Sequence, residues 1–233
     1  ARGILPSREW KRNNFKNPRQ QSWVPGDTIS LGIGQGYNSF TILQLAHAMT
    51  IVANGGTNYA PHLVKAKRAA GTTSFVDIAP APGEALGYKP EHTAMVRRSM
   101  VGVTQEGTSH RVFAGAGYLS GGKTGTAQAV TIGQRSKYNA ARLAERQRDH
   151  SLYLAFAPAE NPKIVVAVIV ENAGFGAAHA APLARRVFDY WLLGQYPSEA
   201  DLAAVRRGQA GAPIGPARAA SDMVPEPPGT VIP

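Results

Sequence analysis

The chain has 233 residues and a mass of 24.7 kDa, with 43% hydrophobic and 17% charged residues, enough apolar material for one large packed domain or two small ones. It contains no Cys, which excludes disulfides, thiolate catalysis and Cys-ligated zinc. A net charge of +10 and a pI near 10.1 suit a polyanionic partner such as nucleic acid, an anionic membrane surface or an anionic polymer.

The first 20 residues hold Arg2, Arg8, Lys11, Arg12, Lys16 and Arg19 against Glu9 alone, with Trp10, Phe15 and Trp23 interleaved. Nucleic-acid bases could stack on such a stretch. No nucleic-acid motif accompanies it, so an irregular surface segment anchored to a core by its aromatics is expected. The start, Ala-Arg-Gly-Ile-Leu-Pro, has neither Met nor an apolar leader and is expected to be a cut end. Gly32, Gly34 and Gly36 fall short of a dinucleotide loop, because Tyr37 stands where the spacing would need the third glycine. A helix follows. Thr41 and Gln44 form a capping box, Ile42, Leu45, Ala46, Met49, Val52 and Ala53 keep one face apolar, and Asn54-Gly55-Gly56 stops it. His47 lies off that stripe, in solvent or in a local hydrogen bond.

Residues 57–88 are rich in turns, with β-like pieces near His62–Lys65 and Ser74–Ile78. A second helix runs from Pro90 to Gly107 with Val96, Met100 and Val103 inward. His92 has only Glu91 beside it, which makes no metal site. Two continuous apolar runs, Leu152–Ala157 and Ile164–Val170, flank Pro158–Pro162 and read as an antiparallel hairpin covered on both faces. The longer run is far below the roughly 20 residues of a membrane-crossing helix. The Lys123–Gln128 segment is expected to pair with Leu152–Ala157 on the side away from Ile164–Val170. A third helix from Pro182 to Gly194 carries Leu183, Val187, Tyr190 and Trp191 on one side. Residues 198–233, rich in Pro and Gly, read as a disordered tail.

Gly121-Gly122-Lys123-Thr124-Gly125-Thr126 is the segment with chemistry in it. Gly117 to Thr124 satisfies the P-loop pattern literally, which would make a nucleotide hydrolase. Against this, no buried strand precedes it, and Val130, Thr131 and Ile132 after it are poor helix formers. Lys-Thr-Gly is also the strand element of penicillin-recognising serine acyl transferases. There an edge strand pairs with an extended substrate, Gly125 permits close approach, Lys123 supplies positive potential, and the Thr124 and Thr126 hydroxyls suit a carboxylate. A surface turn is the third reading, and on three residues alone it would prevail.

The flanks carry more. They include Pro6-Ser7-Arg8-Glu9-Trp10-Lys11, Gly26-Asp27-Thr28, Gly32-Ile33-Gly34-Gln35-Gly36, Gln44-Leu45 and Asn54-Gly55-Gly56. They continue through Lys123-Thr124-Gly125-Thr126-Ala127-Gln128, Lys137-Tyr138, Leu143-Ala144-Glu145-Arg146 and Arg148-Asp149-His150. Ala155-Phe156-Ala157-Pro158, Val170-Glu171-Asn172 and Ala181-Pro182 complete them. On these motifs residues 1–195 resemble the class B penicillin-binding proteins, and among them the elongation-specific D,D-transpeptidases rather than the division-specific ones.

The resemblance implies an α+β fold: the C-terminal part of the penicillin-binding protein/serine β-lactamase-like transpeptidase domain over residues 1–197, an antiparallel sheet flanked by helices. It implies a serine acyl-enzyme mechanism without metal or cofactor. The substrate would be a peptidoglycan stem peptide ending in D-Ala-D-Ala, and β-lactams would be inhibitors. A membrane glycosyltransferase would be the partner and nucleic acid would not. Lys123, Thr124 and Gly125 would be catalytic, and Thr126 would serve the oxyanion hole with its N–H and the substrate carboxylate with its hydroxyl. The family's Ser-x-x-Lys and Ser-x-Asn or Ser-x-Asp elements precede the Lys-Thr-Gly strand. Here the sole Ser-x-x-Lys is Ser120 to Lys123, whose Gly-Gly interior makes no helix, and Ser-x-Asn and Ser-x-Asp do not occur. The chain is therefore expected to be inactive alone, with part of its sheet uncovered. A transmembrane anchor outside these residues would hold the protein at the periplasmic face of the inner membrane. A non-catalytic basic interaction module stands beside the P-loop reading as an alternative.

Overall fold

The computed structural model describes residues 2–130, 139–219 and 221. Thr131, Ile132, Lys137, Tyr138 and the expected tail from 222 onward lie outside the described residues. The N-terminal segment, expected to be irregular, is helical: α1 (Arg8–Asn14), α2 (Pro18–Gln21) and α3 (Pro25–Gly32). The reason is capping. The Ser7 hydroxyl accepts from Trp10 N–H, Asn17 caps α2, and Pro18 and Pro25 occupy first helical positions. Its aromatics pack on one another, with Trp10 and Phe15 each 5.4 Å from the Tyr37 ring. Lys11, 5% exposed, donates to the Asp27 carboxylate at 2.5 Å. That bond, with Val24 N–H, holds the Asp27 carboxyl below the usual carboxylate range.

Helix α4 (Ile42–Ala53) has the expected capping box and stripe, with Met49 and Ala53 buried. His47 shares a hydrogen bond with the Tyr59 carbonyl at 2.9 Å. Two small ribbons follow, β1 (Thr57–Asn58) with β4 (Glu84–Ala85), and β2 (Ala66–Lys67) with β3 (Val76–Asp77). The first expected β piece thus lies slightly further along the chain. Helix α5 (Pro90–Gln105) buries Met100 and Thr104, and the Thr104 hydroxyl donates to the Ser120 carbonyl at 2.6 Å. Val96 stands 48% exposed rather than inward, because the buried contacts of α5 run through Met100 and Thr104, towards the sheet. The short α6 (His110–Phe113) turns the chain back.

The central sheet has the order β5 (Gly121–Ala127), β6 (His150–Ala157), β7 (Ile164–Val170), antiparallel throughout. This is the expected pairing, with Lys123 opposite Leu154 and Leu154 opposite Ala167. One face packs Tyr153, Ala155 and Ala157 with Val112, Phe113, Ala180, Ala184 and Phe188. The other packs Phe156 with Met49, Ala53 and Met100. Strand β6 is well buried, whereas β7 is mostly half-buried and Ile169 is 38% exposed, because β7 forms an edge of the described sheet.

Helix α7 (Ala180–Leu193) turns most of the side expected to carry Leu183, Val187, Tyr190 and Trp191 away from the core. Its inner face is Ala180, Ala181, Ala184 and Phe188, and Val187, Tyr190 and Trp191 are exposed. Small residues let the helix approach a sheet face already filled by the Tyr153 ring, so bulk is left outside. The expected disordered tail is corrected over 199–219, where α8 (Glu199–Arg206) and the ribbon of β8 (Gln195–Tyr196) with β9 (Arg218–Ala219) form. Asp201, 1% exposed, takes Arg186 Nε and Nη2 at 2.9 and 2.5 Å and also accepts from Ile214 N–H. Composition concealed this segment because an ion pair holds it rather than apolar bulk. Among the described residues no helix is long and apolar enough to cross a membrane.

Tyr153 is fully buried, and its hydroxyl shares a hydrogen bond with Ser109 at 2.9 Å. Burial pushes its phenol up from 10.0 to about 12, against a smaller opposing effect of Ser109. A raised pKa means that the native state keeps a proton the unfolded chain has lost. Stability should therefore be whole below pH 10, fall as pH rises towards 12, and fall less steeply in Tyr153→Phe. Denaturant midpoints measured across that range check this.

Candidate active site

Among the described residues strand β5 pairs on one edge only, with β6, and its other edge is open. Gly122, which completes the P-loop pattern, and Gly121 before it have a different cause. A Cβ on Gly121 would lie 2.4 Å from the Phe156 ring, and one on Gly122 would lie 2.1 Å from the Tyr153 hydroxyl. Only glycine lets the strand cross these two rings. The strand continues through Thr124 to Ala127, and no helix follows as far as residue 130. That geometry removes the phosphate-binding reading, which needs a helix opening at Thr124.

In an antiparallel ladder both main-chain groups of one residue face the same side. The Thr126 carbonyl accepts from Gln35 Nε2 at 3.3 Å, from a loop beyond the open edge. Its N–H therefore faces that open side as well. Thr124, two residues earlier, also turns its carbonyl outward, where it accepts Lys123 Nζ at 2.6 Å. The Thr124 hydroxyl is 3.1 Å from that of Thr108, in the turn after α5. A cavity of about 330 Å3 lies along this edge, walled by Ile33, Gly34 and Gln35 and by Lys123 to Ala127, with Leu152 and Leu154 included in its lining.

The structure thus gathers Lys123, Thr124, Gly125 and Thr126 on one strand beside one cavity. It does not bring Ser120 to Lys123 as a nucleophile pair. Ser120 is 1% exposed, and residues three apart on an extended segment point to opposite faces. Gln35, Thr108 and Gly176 were not legible as neighbours of this strand. Gln35 sits in a glycine-rich run whose spacing marks the glycines alone. Gly176 lies on the backbone where β5 meets β6: a Cβ there would be 2.3 Å from the Leu152 carbonyl oxygen and 2.7 Å from that of Gly125.

Residues 11–189 match the penicillin binding protein transpeptidase domain. The peptidoglycan D,D-transpeptidase MrdA of Haemophilus influenzae is 44% identical over 201 residues, which cover 83% of this chain and 29% of the relative. Its Escherichia coli K12 counterpart is 39% identical over 194 residues, 82% of this chain and 30% of the relative. The chain thus spans less than a third of these curated relatives. Among solved structures, Pseudomonas aeruginosa PBP2, crystallised with WCK 5153, is 41% identical with a TM-score of 0.63, covering 83% of this chain and 39% of that one. Helicobacter pylori PBP2, solved in complex with MreC, has the same TM-score of 0.63 at 25% identity, covering 82% of this chain and 31% of that one. Nothing in these similarities supports a nucleotide hydrolase or a non-catalytic basic module.

Gly176→Ala should destabilise the chain by about 1–3 kcal/mol, since the clash is with backbone rather than a flexible side chain. A lowered melting temperature checks this. An unchanged one would mean that the loop does not rest on the β5–β6 pair.

Proposed function

The chain belongs to the penicillin-binding protein transpeptidase family, and we propose that β5 forms one wall of a serine D,D-transpeptidase site that cross-links peptidoglycan stem peptides during cell-wall elongation. The observation that carries this reading is the open edge of β5, where the outward main-chain groups of Thr124 and Thr126 border a cavity together with Lys123. An extended stem peptide would add to that edge by main-chain pairing, and Gly125 would let its backbone approach.

In this reading a serine hydroxyl attacks the carbonyl carbon of the penultimate D-alanine. The carbonyl oxygen gains the electron pair, and the Thr126 N–H donates to it. Collapse breaks the peptide C–N bond, the terminal D-alanine leaves as an amine with the proton from serine, and a serine ester remains. An amine of a neighbouring stem then attacks the ester, forms the cross-link and returns the serine. Lys123 favours the deprotonated nucleophile and attracts the substrate carboxylate, and the Thr124 and Thr126 hydroxyls bind that carboxylate. β-Lactams would acylate the same serine. The sole Ser-x-x-Lys of the sequence, Ser120 to Lys123, runs into β5 rather than along a helix, so in this reading another part of the enzyme would supply the nucleophile. The complete enzyme would work at the periplasmic face of the inner membrane beside a membrane glycosyltransferase.

In the complete transpeptidase, Lys123→Ala should slow β-lactam acylation on the order of 100-fold or more, the usual scale for losing one well-placed electrostatic donor. Lys123→Arg should retain part of the rate, because it keeps the charge with altered reach. Melting temperatures should barely move, since Lys123 is exposed. Near wild-type acylation by the Ala variant would refute the assigned role. The 233-residue chain by itself should form no covalent adduct with labelled penicillin, and intact-mass spectrometry showing an adduct on Ser120 would overturn the reading of the nucleophile.

A further inference from the structure

Gln35 is held unusually firmly for a loop residue. Its N–H donates to the Ser30 carbonyl at 2.9 Å, and its own carbonyl accepts from Asn38 Nδ2 at 3.3 Å. Gly34 and Gly36 on either side have φ of +77° and +75°, a region that glycine enters without steric cost. The Asn38 side chain also donates to the Leu31 carbonyl, closing the loop back onto α3. A side-chain amide is thus presented from a pinned backbone, and its Nε2 donates to the Thr126 carbonyl across 91 residues of sequence.

Thr126 is the residue that most needs such a partner. Gly125 and Ala127 on either side are opposite Leu152 and His150 in the β5–β6 ladder, which holds them from one direction. Thr126 turns its main-chain groups the other way, onto the open edge, where no strand of the described residues restrains them. An oxyanion donor works by being oriented before the charge develops, so freedom at this residue weakens it.

We propose that Gln35 is a positioning residue for acyl transfer: by donating to the Thr126 carbonyl it fixes the residue whose N–H faces the developing oxyanion. The inference rests on the transpeptidase reading given above. It assigns to the loop of residues 33–36 a part in the chemical step as well as in forming the cavity wall. The hydrogen bond is to a neutral carbonyl and is partly exposed, so its loss should change the rate by roughly three- to tenfold rather than by orders of magnitude.

The test uses the complete transpeptidase with a fluorescent penicillin, separating non-covalent binding from the acylation rate constant. Gln35→Met keeps length and packing but has no donor. It should lower the acylation rate constant roughly three- to tenfold, with the non-covalent dissociation constant and the melting temperature nearly unchanged. Gln35→Glu can donate only when its carboxyl is protonated. Its rate relative to wild type should be lowest near neutral pH and should rise as pH falls towards the ordinary glutamate range, about 4.3. A merely structural residue would not give that pH profile. Wild-type rates in both variants, with wild type itself acylated normally, would overturn this role while leaving the functional reading intact. Faster acylation by Gln35→Met would also overturn it, because Gln35 would then be a cap that substrate must displace. A wild-type enzyme that is never acylated would remove both readings together.

Discussion

The packing of the Tyr153 ring beneath β5 governs the geometry of the described core. The ring is fully buried, lies 5.9 Å from Phe113 in a stacked arrangement, and turns its hydroxyl to Ser109 between α5 and α6. The same hydroxyl occupies the space where a side chain on Gly122 would begin. One phenol therefore ties the turn after α5, the face under α7 and the start of β5 into a single unit. A polar atom buried this deeply is tolerable because it has a partner, and losing that partner would cost about 1–3 kcal/mol.

From this constraint the site follows. Because β5 passes between two aromatic rings, Phe156 on one face and Tyr153 on the other, it enters the sheet as a regular strand, and the alternation of the ladder decides which groups face outward. Thr124 and Thr126 present main-chain groups to the cavity, while Lys123 and Gly125 share the sheet face of Leu152 and Leu154. The loop bearing Gln35 closes the far side, and it is joined through Tyr37 to the aromatic cluster of α1. The basic N-terminal segment is therefore structurally continuous with one wall of the site.

The β5–β6–β7 order was legible because continuous apolar runs and a Pro-bounded turn leave a hairpin few alternatives. The Lys123–Thr126 strand was legible because its flanks carry many collinear motifs. What escaped has a common cause. The inner face of α7 leaves no mark in the sequence because it is built of alanines and Phe188, which meet a sheet already occupied by a ring. The segment at 199–219 and the helices before residue 33 are specified by Ser7, Asn17, Ser198 and the Arg186–Asp201 and Lys11–Asp27 pairs. Polar contacts of this kind leave no periodic trace. Gln35 was invisible for another reason: its partner is 91 residues away, and a single long-range side-chain bond has no sequence signature.

We propose that acyl transfer occurs at the open edge of β5. A crystal structure of the complete transpeptidase acylated by a β-lactam tests it most directly. The acyl carbonyl oxygen is expected at about 2.7–3.1 Å from Thr126 N, with the ligand carboxylate beside the Thr124 and Thr126 hydroxyls. A ligand carbonyl turned away from β5, with Thr126 N–H making no contact to it, would place acyl transfer elsewhere.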